Sequence, residues 1–331
     1  MTTLVVIIIL LAFLFDFYNG MNDAANSIAT VVATKVLPPR LAVLWAATFN
    51  FLAVFLFGVA VAKTIGKGVV DPLMVNEITI FSGLIGAIVC SAIATHMGFP
   101  ISISHALIGG LVGAGIAKAG PACIVWSGLT KTIIFIFAAP LLGFAVATVF
   151  SIATTWIVRN KQPSKIDRYF RGLQLCSAAA YSLGHGSNDA QKTMGIIALT
   201  LFNAGLLGDT FRVPLWVVFA SYSIISLGTF IGGWRVIATL GDKITKLRPI
   251  DGFCAETASA ITLFFAAAAG IPASTTHTIT GGIVAVGATK RMSAVRWVVA
   301  RRIVGAWILT IPFALSVSFC VQKFIVWAWG L

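Results

Sequence analysis

Long apolar runs alternate with short polar clusters along this chain, and the runs have the length of membrane-crossing helices. Met1 to Phe15 contains no charged residue, and similar runs recur to the end. The pattern predicts helical segments at 2–34, 40–62, 78–95, 101–118 and 129–158, then at 172–205, 213–234, 254–270, 275–289 and 303–329. A helix needs about 20 mostly apolar residues to cross a bilayer core. The short alternation of a membrane barrel is absent. A polar stretch, RNKQPSKIDRYFR at 159–171, separates five segments from five. The first segment of each half carries polar residues inside it, which predicts helix interruptions near 19–22 and 184–188.

Those polar residues repeat. Gly20, Asn22, Asp23 and Ala24 recur 166 residues later as Gly186, Asn188, Asp189 and Ala190. A second motif repeats with an offset of 172: GFPISISHALIGGLVGAG at 98–115 against GIPASTTHTITGGIVAVG at 270–287. One unit, duplicated, accounts for both. The first repeat is 1–158, a basic linker 159–171 follows, and the second repeat is 172–331. An odd number of crossings per unit inverts the second repeat relative to the first. The fold class expected is an all-α polytopic membrane protein, an inverted-topology repeat with broken helices. Pro followed by hydroxyl residues and a glycine-rich run predicts two re-entrant-like hairpin tips, at 100–105 and 272–277. Irregular backbone at membrane depth is tolerated only where protein or a water-filled cavity surrounds it. Such paired interruptions in two halves point to a transporter binding site.

Composition agrees with this class. Only 10% of residues are charged, against roughly a quarter in soluble domains. The net charge of +13 does not mark a nucleic-acid partner, because the basic residues sit in short loops between apolar runs. With the central loop inside, 16 Lys and Arg fall inside and 6 outside. The positive-inside rule then places both termini outside and the linker in the cytoplasm of a cell (inner or plasma) membrane. Residues 1–19 lack a basic start, since the first Lys is Lys35, and read as a retained helix. The five cysteines are scattered, with no C-x-x-C, and read as small buried side chains. The lipid bilayer is the obligatory partner, and the sequence leaves a homodimer open.

The chemistry divides between the two motifs. Ser102, Ser104, Ser274, Thr275 and Thr276 offer hydroxyls at helix starts, where free N–H groups and the dipole favour an anion. Hydroxyls in helices often only satisfy nearby carbonyls, but two copies at P-x-S-x-[ST]-H favour a binding site. Asp23 and Asp189 would repel an anion and suit a hard cation such as Na⁺, with Asn22, Asn26 and Asn188 adding amide oxygens; a coupling proton is the alternative. An intramembrane carboxylate is a functional candidate by default. Asn26 is replaced by Lys192 in the second copy, three residues after Asp189 and on its helix face. Lys192 is therefore expected to pair with Asp189 as a fixed cation and to contribute to the substrate site. His105, His277 and Glu256 are secondary candidates, the histidines mainly as packing groups. The four histidines lack metal-ligand spacing, so no transition metal is expected. No nucleophile–base pair and no nucleotide fingerprint is present, so neither catalysis nor a cofactor is expected beyond the transported Na⁺ or H⁺.

These motifs, G-x-N-D-A-A-N at 20–26, H-G-S-N-D-A-Q-K at 185–192 and the two G-x-P-x-S-x-[ST]-H tips, resemble those of the inorganic phosphate transporter (PiT) family over nearly the whole chain. The resemblance implies a secondary symporter that imports inorganic phosphate with Na⁺ or H⁺ by alternating access. It also implies that the Ser/Thr tips bind phosphate and that Asn22, Asp23, Asn188 and Asp189 belong to the substrate and cation region. The first tip departs from the usual S-T-T-H at Ile103, and the short linker marks a compact, bacterial-type member. Sulfate is the alternative substrate within the family, and an uncoupled anion channel is the alternative class.

Overall fold

A computed structural model describes residues 3–56, 58–208 and 210–330. Met1, Thr2, Phe57, Asp209 and Leu331 lie outside it, so the expected segments 2–34 and 40–62 are described except at Thr2 and Phe57. The described residues are almost entirely helical, with one isolated bridge, Val70 to Ile124. The first half contains α1 (Thr3–Ala33), α2 (Pro39–Leu52), α3 (Ala60–Gly68), α4 (Glu77–Met97), α5 (Ile103–Ala119) and α6 (Trp126–Val158). The second contains α7 (Pro163–Asn203), α8 (Leu215–Ile231), α9 (Trp234–Asp242), α10 (Pro249–Ala268), α11 (Thr275–Lys290) and α12 (Trp297–Trp329). Among the described residues, α1, α4, α6, α10 and α12 are long and apolar enough to cross a membrane, and the bent pairs α2–α3 and α8–α9 bring the number to seven if each is counted as one broken span.

The breaks fall elsewhere than the sequence pattern predicts. Both α1 and α7 run unbroken through the polar motif. The glycine there serves close packing. A Cβ on Gly20 would lie 2.1 Å from the Ile225 carbonyl of α8, and one on Gly186 would lie 2.6 Å from the Asn50 carbonyl of α2. The bends come instead in the next segments, at 85° between α2 and α3 and at 71° between α8 and α9. The second sits at Gly232, whose φ of +72° only glycine adopts freely. The stretch 159–171 is also more ordered than a loop. From Pro163 onward it forms the first turns of α7, because proline is well placed at the first helical position.

The two hairpins do turn where expected. Helix α4 ends on the left-handed Gly98 (φ +76°), and the chain leaves α10 through Gly270 (φ +66°). The second arm of each broken span holds the opposite hairpin. Thr64 of α3 donates to the Gly270 carbonyl at 2.7 Å, and Thr239 of α9 donates to the Gly98 carbonyl at 3.1 Å. The halves are interleaved throughout. Helix α6 packs on α11 of the other half, where a Cβ at Gly281 would lie 2.3 Å from the Pro140 carbonyl. Helix α12 packs on α5 in the equivalent way, at Gly109 against the Ile311 carbonyl. These reciprocal contacts join corresponding elements of the two halves.

Candidate functional site

The two tips meet head to head. Ser102 and Ser274 cap α5 and α11, accepting from the backbone N–H of His105 at 3.4 Å and of His277 at 3.2 Å. These two hydroxyls are thus engaged in starting the helices. The next hydroxyls lock the tips together. Ser104 donates to the Ala273 carbonyl at 3.3 Å, and Thr276 donates to the Ile101 carbonyl at 3.0 Å. Residues and carbonyls alike are paired by the 172-residue offset. A hydrogen bond between membrane helices contributes only about 0.6 kcal/mol on average, so these bonds set position more than stability. They bring two helix N-termini, each with unpaired N–H groups and a positive dipole end, into one place.

The motifs of α1 and α7 face these tips. Asn26 donates to Thr276 at 2.9 Å, and at the equivalent point Lys192 donates to Ser104. Lys192 also bonds Asp189 at 2.6 Å, the pairing its spacing predicts. Its counterpart Asp23 instead accepts the Thr275 hydroxyl at 2.9 Å. Asn22 and Asn188 donate to Thr95 (3.0 Å) and to the Ile271 carbonyl (3.1 Å), and each keeps its amide oxygen without a protein partner among the described residues. All these side chains are at most 3% exposed, so the site is closed to both faces of the protein.

His185 completes the centre; the sequence reading quoted it in the 185–192 motif without making it a site residue. Thr229 accepts from the Asn50 amide nitrogen at 2.9 Å, which turns the Asn50 oxygen to His185 Nδ1 at 3.1 Å. The Asn50 oxygen thus accepts from Nδ1–H, and Nε2 is left facing the two carboxylates. Nε2 lies 3.8 Å from Asp23 and 3.7 Å from Asp189, and the three ligand atoms lie within 4.8 Å of one another. The group can hold a cation between two carboxylates. The four-residue step from His185 to Asp189 was the available signal, but Asp23 comes from another helix. Spacing along the chain cannot show that convergence.

Of the secondary candidates, His277 stacks on Trp307 at 3.7 Å and hydrogen-bonds the Ile136 carbonyl, while His105 meets His277 edge-on at 4.6 Å. Both pack behind the tips. Glu256 lies apart from the centre, bonded by Thr30 (2.5 Å), Gln174 (3.0 Å) and Ser177. The structure also reveals a buried polar stripe down α1, formed by Asp16, Asn19, Asp23, Asn26 and Thr30 at three- and four-residue steps. On antiparallel α7, Gln174, Ser177, Tyr181, His185, Asp189 and Lys192 make its counterpart. Asp16, Asn19, Thr30, Gln174, Ser177 and Tyr181 are missing from the sequence reading, although helical periodicity contains the signal.

An interleaved helical repeat with crossed hairpin tips over paired intramembrane carboxylates defines a multi-pass membrane transporter, not an enzyme. The phosphate transporter family profile matches residues 19–167 and 158–318. A "Probable low-affinity inorganic phosphate transporter" of Rhizobium meliloti (strain 1021) is 55% identical over 95% of this chain and 94% of its own length. A protein of the same name from Bacillus subtilis (strain 168) is 40% identical over 95% of each chain. A solved structure titled "The sodium-dependent phosphate transporter" superposes with a TM-score of 0.88 at 26% identity, covering 98% of this chain and 99% of its own. The chain belongs to the phosphate transporter family.

Proposed function

We propose that this protein carries inorganic phosphate across the cell membrane with a coupling cation, by alternating access around the closed central site. The observation that carries this reading is the crossing of two helix N-termini beside Asp23, Asp189 and Lys192. Phosphate is a compact oxyanion. The N–H groups of both tips, the tip hydroxyls, the Asn amides and Lys192 are the donors for it. Two carboxylates next to that anion need positive charge, which Lys192 supplies to Asp189 and a coupling cation supplies at Asp23 and His185. Oxygen ligands from Asp23, Asn22 and Asn188 suit Na⁺, and the sodium-dependent structural relative favours it over H⁺. The relatives reported are named for phosphate, and nothing in them favours sulfate.

Opening on either side requires the hairpin pair to move against α1 and α7 and to separate the tip contacts in turn. The basic residues favour a cytoplasmic position for the 159–162 turn. An impermeant thiol reagent should therefore reach Asn160→Cys only in inside-out vesicles; labelling in intact cells would reverse the orientation. Asp23→Asn should cut cation-driven phosphate uptake in proteoliposomes by at least about tenfold, as expected for loss of an intramembrane charge. Wild-type uptake in that variant would remove Asp23 from coupling.

A further inference from the structure

Seven residues before Asp23, on the same face of α1, stands a second carboxylate that the central site does not use. Asp16 is fully buried, and neither of its oxygens has a hydrogen-bond partner among the described residues. The side chains around it share this condition. Both amide atoms of Asn19, the Thr193 hydroxyl and the Tyr222 hydroxyl are buried and unpartnered. Asn19 and Thr193 are turned toward the carboxylate, and the Tyr222 hydroxyl on α8 lies within reach of its charge.

The fold explains the convergence. Asn19 is one turn along α1. Thr193 is one turn beyond Asp189 on antiparallel α7. Tyr222 precedes Ile225, whose carbonyl touches Gly20 where α8 crosses α1. Buried polar groups without partners are expensive, and a cluster of them in one place is rare unless something binds there. Lys192, whose charge reaches Asp16, is itself bonded to Asp189 at 2.6 Å. The repeat offers no second copy. The position equivalent to Asp16 is Ser182, whose hydroxyl bonds its own helix at Ala178.

We propose that Asp16, Asn19, Thr193 and Tyr222 form an additional binding site for a hard monovalent cation, Na⁺. The ligands on offer are a carboxylate, an amide oxygen and two hydroxyls, which is the oxygen-only set such an ion prefers. One carboxylate balances one positive charge, whereas a divalent ion would leave net charge in an apolar interior. Seven residues of helix place this site about 10 Å from Asp23, toward the α1 N-terminus. It stages a cation on one side of the central site and gives the two halves different cation capacities. The inference rests on the cation-coupled reading above and extends it.

The test is equilibrium binding of radioactive Na⁺ to purified full-length transporter, read beside phosphate uptake in proteoliposomes. Asp16→Asn should lose one Na⁺ equivalent relative to wild type. Tyr222→Phe and Thr193→Val, which nearly conserve volume, should weaken the Na⁺ half-saturation severalfold without changing phosphate specificity. Wild-type Na⁺ stoichiometry and affinity in all three variants would overturn the Asp16 site and leave coupling at Asp23 intact. Uptake in wild type that responds to no cation gradient would instead overturn the coupling reading itself. Wild-type uptake driven by protons and indifferent to Na⁺ would overturn the Na⁺ assignment.

Discussion

Asp23 and Asp189 occupy the same place in two copies of one motif, yet they are charge-balanced differently. Asp189 holds the Lys192 ammonium at 2.6 Å, while Asp23 accepts a threonine hydroxyl at 2.9 Å. Asn26 and Lys192 each bond the hydroxyl of the facing tip helix, so the exchange preserves the hydrogen bond and changes only the charge. On the cation-coupled function proposed above, Lys192 takes at Asp189 the place that a mobile cation takes at Asp23. Lys192→Asn should raise the Hill coefficient of phosphate uptake for the coupling cation, because Asp189 then needs an ion of its own. An unchanged coefficient would mean that the lysine is not a surrogate ion. Lys192→Met should be far harsher. Removing one partner of a buried ion pair leaves the other unpaired, at a cost of about 3–5 kcal/mol, and thermal unfolding in detergent would report it.

Glycine in the G-x-N-D-A motif is a packing residue. It lets α8 cross α1 at Gly20 and α2 cross α7 at Gly186, with backbone in contact. Gly20→Ala would put a methyl 2.1 Å from the Ile225 carbonyl, and overpacking of this kind costs about 1–3 kcal/mol. A lowered melting temperature and weakened transport are the expected outcomes; a variant of wild-type stability would contradict the close crossing. The hairpin tips were readable from the sequence because Gly-x-Pro-x-Ser carries its own turn and cap chemistry. The polar motif was misread as a helix break, since an Asp and two Asn in an apolar run look like unwound backbone. In the structure their side chains, not their main chain, meet the site. The bends between α2 and α3 and at Gly232 went unseen because they lie in continuous apolar sequence. His185 and Asp16 were missed for a different reason. Their significance depends on which helices face each other, and periodicity along one helix does not say that.

The molecule as a whole is two interleaved copies of one unit, each supplying a hairpin that the other unit's long helix holds. That arrangement ties each tip to elements of both halves. The central side chains are sealed from both faces, which is the state expected midway through a transport cycle. Polar stripes on α1 and α7 continue in both directions from this centre, to Asp16 on one side and to Glu256, Thr30, Gln174 and Ser177 on the other. Uptake of labelled phosphate into proteoliposomes, with Na⁺ and pH gradients imposed one at a time and sulfate as competitor, tests the account most directly. The predicted result is phosphate accumulation above its external concentration when Na⁺ is directed inward, little inhibition by sulfate, and collapse on dissipating the gradient. Phosphate that only equilibrates, whichever gradient is imposed, would contradict it.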